Sequence, residues 1–173
     1  MDKRLERILP RVQKPARYVG GEYNAVMKEK SEVDTRIAFC FPDTYEIGMS
    51  NLGMRILYGV MNNMPGVWCE RVFAPWVDME KEMRENGIPL YALESGDPVK
   101  EFDIVGFTLQ YEMSYTNVVA ALKMAGIPIY QKLEQFFICN MHFCPSIGFI
   151  ISFYASSFRF HALPNNSLPP RLK

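Results

Sequence analysis

"RIAFCFPDTYEIGMSNLGMRILYGV", residues 36–60, changes its pattern twice. After Arg36 the run to Phe41 is continuously apolar, as in a strand buried on both faces. Small, polar and acidic residues follow. Met49, Leu52, Ile56 and Val60 then recur at spacings of three, four and four, which places them on one face of a helix. The stretch predicts a buried strand, a polar loop and a helix. Working outward, "VWCERVFA" (67–74) predicts a second strand. Pro75 and "WVDMEKEMRENG" then give a short helix with Trp76, Met79 and Met83 on its apolar face, acidic residues early, and Asn86-Gly87 at its close. "IPLYAL" (88–93) predicts a further short strand and "DIVGFTL" (103–109) another buried one, while "SYTNVVAALKMAG" (114–126) predicts a helix ending on Gly126. Strands alternating with helices imply an α/β fold, a mainly parallel sheet with helices on both faces.

In such sheets ligands sit outside the carboxyl ends of the strands, where the chain order reverses. That directs attention to the loops after "RIAFCF" and "DIVGFTL". The candidate binding residues are Asp43, Thr44, Tyr45, Gly48 and Ser50 in the first and Thr108, Gln110 and Ser114 in the second, most of them able to hydrogen-bond a polar ligand. Each also has a purely structural reading. Asp43 suits the cap of a turn, Gly48 an unusual backbone angle, and Tyr45 a cover for the sheet edge. Thr108 suits a strand and Ser114 a helix cap. Glu70 and Arg71 are expected to pair with each other at a strand edge. Gly20-Gly21 has no phosphate-loop context and is expected to mark a turn in a leading arm.

Composition bounds the possibilities. The chain of 173 residues, 49% hydrophobic and 22% charged, is long enough for one sizeable core. Nineteen basic and nineteen acidic residues cancel, which argues against a nucleic-acid surface or a polybasic membrane anchor. The opening "MDKRLERILP" has no signal-peptide pattern, so Cys40, Cys69, Cys139 and Cys144 are read as reduced thiols of a cytoplasmic protein. Charge then collapses after Tyr130, where only Lys132, Glu134, Arg159, Arg171 and Lys173 remain. The uncharged stretch 135–158 is interrupted by Asn140, His142, Pro145 and serines, which makes it a poor membrane span. "CNMHFC" (139–144) offers three metal-ligand types but lacks the fourth ligand and the paired knuckles of a zinc site.

"LPRVQKPARYVGGEYN", "FPDTYEIGMSNLGMRILYGVMNN", "ERVFAPWVDMEKEMRENGIPLYALESG" and "FDIVGFTLQYEMSYTNVVAALKMAGIP" occur in order between residues 9 and 129. Together they resemble the N-terminal part of a family of uncharacterised radical SAM proteins whose first domain is cobalamin-binding-like. The resemblance implies a flavodoxin-like domain over residues 36–130, an arm over 1–35 before it, and an atypical apolar tail over 131–173. It implies cobalamin as a cofactor and, as a partner, a corrinoid or a radical SAM catalytic domain. In full-length relatives a CxxxCxxC motif holds a four-iron, four-sulfur cluster that cleaves S-adenosylmethionine. This chain has no such motif, so no catalytic residue is assigned to it.

Corrinoid modules carry DxHxxG after the first strand, the histidine coordinating cobalt from below. Here the stretch is Asp43-Thr44-Tyr45-Glu46-Ile47-Gly48, with tyrosine in the histidine position. A phenol, with an ordinary pKa of about 10, is a poor substitute for imidazole. Thr108 stands where such modules place a serine that meets the nucleotide tail, but their Ser-x-Leu pattern and later Gly-Gly are missing. Two expectations follow: a corrinoid without a protein ligand from below, or a degenerate docking domain that has lost the cofactor. A third is a separate flavodoxin-like small-molecule binder or signalling receiver, of which the receiver would want an acidic cluster and a late lysine that are not convincingly arranged here. The tail from about residue 131 is expected to be the product of a frameshift, an early stop or an assembly error.

Overall fold

The computed structural model describes residues 3–110 and 113–129, together with the backbone of a strand at 150–155. The metal-ligand cluster 139–144 and most of the apolar stretch and tail lie outside the described residues. So do Tyr111 and Glu112 of the second candidate loop.

Four strands form one sheet in the order β2-β1-β3-β4, with β1 at Thr35–Phe41, β2 at Val67–Phe73, β3 at Ile104–Leu109 and β4 at Ile150–Ala155. The first three are parallel, and β4 runs antiparallel to β3. This is the 2-1-3 order of a flavodoxin-like sheet, with β1 inside it and the strand order switching sides between β1 and β3. The helices are α1 (Lys3–Ile8), α2 (Tyr45–Ser50), α3 (Leu52–Asn62), α4 (Val77–Glu85) and α5 (Ser114–Ala125).

The alternation of side chains along β1 builds a core on each face. Ile37, Phe39 and Phe41 pack with Met54 and Tyr58 of α3, while Ala38 and Cys40 pack with Ala121, Leu122 and Ala125 of α5 and with Phe102. A third cluster joins the arm to α4, where Leu5, Ile8, Val12 and Tyr18 bury Met79, Met83 and Ile88. Gly20 and Gly21 both adopt positive φ, at 67° and 84°, and make the expected turn in the arm. Gly126, at φ 70°, closes α5 as expected.

Three expectations about local structure are corrected. Residues 88–93 form no strand: Pro89 offers no N–H, and the segment makes one isolated antiparallel bridge, Tyr91 with Pro98. Met49, Leu52, Ile56 and Val60 do not share one helix: Met49 belongs to α2, and Leu52, Ile56 and Val60 lie on the outer face of α3, whose buried residues are Met54, Tyr58 and Asn62. Ser114 does not cap α5. It is the first helical residue, buried, and the N-cap is Met113 with no side-chain hydrogen bond.

The free edge of β2 is closed by side chains and arm. The Asn62 amide brackets Cys69, donating to its carbonyl at 2.9 Å and accepting from its N–H at 3.0 Å. The Arg71 N–H donates to Glu94 at 2.7 Å, its carbonyl accepts from the Leu93 N–H at 2.8 Å, and the Lys28 ammonium donates to the Val67 carbonyl. An edge with these groups engaged offers little to another strand.

Candidate functional site

Because β1 and β3 are parallel neighbours, their following loops open at the same end of the sheet. Asn117 of α5 ties them together, its amide donating to the Pro42 carbonyl at 2.8 Å. Asp43, Thr44, Trp76 and Asn117 line a cleft of about 210 Å³ there.

Most of the first loop's polar groups are spent within the protein. The Asp43 N–H donates to the Phe41 carbonyl at 2.8 Å, and the Asp43 carbonyl accepts from Ala74 at 2.9 Å, locking the ends of β1 and β2 together. The Asp43 carboxylate accepts from the Thr44 N–H at 2.7 Å, the turn-capping role expected of it. The Ser50 hydroxyl donates to the Ile47 carbonyl at 2.8 Å. Gly48 does not have positive φ; it is needed because a Cβ there would collide with the Phe73 ring.

Tyr45 lies on the β2 side of this end, edge-on to Phe73 at 5.4 Å between centroids. Burial raises its phenol above the ordinary value of 10, and Glu22 adds to the rise. It therefore stays protonated at neutral pH, a form that is no strong metal ligand. The second loop differs. Thr108 is fully buried on β3, and neither its hydroxyl nor the buried Gln110 amide nitrogen has a hydrogen-bond partner among the described residues.

Two buried charge networks were not foreseen. Glu70 and Arg71 do not pair with each other, because consecutive residues of β2 point to opposite faces of the sheet. The Glu70 carboxylate accepts from Arg36, at 3.1 Å from its Nε, and from the Ser95 N–H at 3.0 Å. The Arg36 guanidinium stacks over the Trp68 and Phe102 rings and lies 2.8 Å from Asp97, which also meets Lys30 at 2.6 Å. On the other face Arg71 is held by Glu94 at 2.6 Å and Glu22 at 3.0 Å, above the Tyr58 ring. Its Nη1 faces the Met49 sulfur at 3.2 Å. The sequence signal was present: two adjacent charges inside an apolar strand must each find a partner on its own face.

Among the described residues no group of three or more His, Cys, Asp or Glu side chains is placed to hold a metal. Cys40 and Cys69 are free and buried in the cores on opposite faces, so they cannot share one. No helix of the described residues is long and apolar enough to cross a membrane.

Residues 53–135 match the family model described as Radical SAM proteins, N-terminal. The match begins in α3 and takes in β2, α4, β3 and α5; β1 and the whole of the loop 42–51 precede it. Neither the curated proteins nor the solved structures give a match. The chain is thus similar to the N-terminal region of radical SAM proteins.

Proposed function

We propose that this α/β unit is a non-catalytic N-terminal module that docks with and supports a radical SAM catalytic domain. The observation that carries the reading is the internal use of the loop at the switch point. Asp43, Ser50 and Asn117 hydrogen-bond within the protein, the space beside Gly48 is filled by the Phe73 ring, and Tyr45 packs edge-on against that same ring. A cleft of about 210 Å³ is also below the roughly 300–1,000 Å³ typical of sites for small organic ligands. The module supplies shape and contact, and the partner supplies the cluster and the chemistry.

The test combines the purified chain with the catalytic part of a protein that matches the same family model, produced without its own N-terminal region. Co-elution, with more soluble and iron-bearing catalytic domain than in its absence, is the expected result. Independent elution with no gain in iron content would overturn the reading.

A second reading is favoured by the two orphaned polar groups. Thr108 and Gln110 at the end of β3 would receive the nucleotide tail of a corrinoid held with no protein ligand from below. When bound, that group would supply cobalt chemistry to the partner; this chain would only bind and orient it. Retention of hydroxocobalamin through gel filtration, lost in Thr108→Val and kept in Tyr45→Phe, would support it. Absence of retained pigment at high micromolar cobalamin would leave the docking role alone. Thr108→Val has its own prediction in the absence of cofactor: removing an unpaired buried hydroxyl should raise unfolding stability by about 1 kcal/mol, read from the urea midpoint.

A further inference from the structure

The outer side of α3 is apolar and open. Leu52, Ile56 and Val60 are 66%, 55% and 49% exposed, and Ile47 before the helix and Met64 after it are exposed too. A groove of about 620 Å³ separates this ridge from the arm near Tyr23, itself fully exposed. Singly exposed apolar residues need no explanation, but a continuous ridge beside a groove marks a contact surface.

Two details specify what fits it. A Cβ on Gly59 would meet nothing within 4 Å, so no internal contact requires a glycine there, although glycine weakens a helix. Its place among Arg55, Ile56 and Val60 makes a notch in the ridge, shaped to receive a side chain from outside. The charge is one-sided. The helix Leu52–Asn62 contains no acidic residue, and its one cation, Arg55, is exposed with no ion-pair partner among the described residues. Glu22, the carboxylate on the groove's far wall, is already engaged by Arg71 at 3.0 Å.

We propose that this face takes an amphipathic helix whose apolar side fills the Gly59 notch and whose flank places a carboxylate against Arg55. The inference rests on the docking reading above for its source, a helix of the catalytic partner. A second copy of the chain fits poorly. A two-fold contact centred on Ile56 would bring two Arg55 side chains together with no carboxylate on either α3 to receive them.

The probes are two fluorescein-labelled model peptides of about 18 residues with the same leucine face, one flanked by glutamates and one by lysines. Titrated with the full chain, the glutamate peptide should bind about tenfold more tightly by anisotropy. Arg55→Glu should reverse the preference, and Gly59→Leu, which fills the notch without an internal clash, should abolish binding with the fold intact by circular dichroism. Equal binding of both peptides, or of neither, overturns the proposal. So does a dimer of the chain by light scattering that Ile56→Glu converts to monomer. Co-elution with the catalytic part that both α3 variants leave untouched sinks this inference but not the docking reading. Loss of co-elution with the peptide preference and its reversal intact sinks that reading but not the surface.

Discussion

Glu70 has no solvent-exposed surface, and its charge is held by an arginine stacked between two aromatic rings. Breaking one side of such a pair strands the other, so Glu70→Ala should lower unfolding stability by about 3 kcal/mol in urea titration. Asp97 stays close to Arg36 and keeps the loss at the low end of the range for buried pairs. A loss under 1 kcal/mol would mean that solvent reaches Arg36 in solution. Across the sheet Glu94 has the opposite character. Burial pushes its carboxyl above the ordinary value of 4.5, with Arg71 only partly opposing the shift. In the window between the ordinary and folded values the folded state binds more protons than the unfolded one. Its contribution to stability is therefore present below pH 4.5 and lost as pH rises through the folded value. Glu94→Gln should flatten that fall in a stability-versus-pH series. An identical slope in both proteins would show that Glu94 titrates normally.

At the scale of elements, the strands β1, β2 and β3 and the helices α4 and α5 were legible because pattern and punctuation agreed. Apolar runs ended at polar loops, and Gly126 could only follow a helix end. The inner face of α3 was not legible. Its sequence, LGMRILYGVMN, is apolar nearly all round, so spacing fits the stripe at 52, 56 and 60 as well as the one at 54 and 58. Polar bonds decided between them: the Tyr58 hydroxyl accepts from the Val26 N–H at 2.7 Å, and Asn62 reaches the edge of β2. Asn62 thus takes the place of a neighbouring strand for Cys69. Asn62→Ala would leave both backbone groups of Cys69 unpaired in a buried position. The expected cost is about 2–3 kcal/mol, with faster amide exchange at Cys69 than at Glu70, whose N–H faces β1. Unchanged exchange at Cys69 would mean that water or the arm replaces the bracket.

For the whole molecule, strand order and loop polarity sufficed to bring the two candidate loops to one end of the sheet. The fate of Tyr45 and Arg71 depended on Glu22, which the sequence places in an arm far from either and which no spacing rule connects to them. That arm behaves as a third layer. Leu5, Ile8, Val12 and Tyr18 are buried against α4, the Tyr91 hydroxyl donates to the Tyr18 carbonyl at 2.9 Å, and the Trp68 indole donates to the Val26 carbonyl at the same distance. These contacts reach both sides of the sheet, so arm and sheet should unfold together. Ile8 is 1% exposed, and Ile8→Ala should cost about 3 kcal/mol. The decisive readout lies elsewhere in the fold. If the arm is integral, native-state hydrogen exchange at the β1 amides of Phe39 and Cys40, which report global opening, should accelerate by the same free energy as the urea midpoint records. Protection at β1 that stays at the parent level while the arm amides exchange freely would instead make residues 36–129 a unit stable on its own, with the arm a separate strap laid over it.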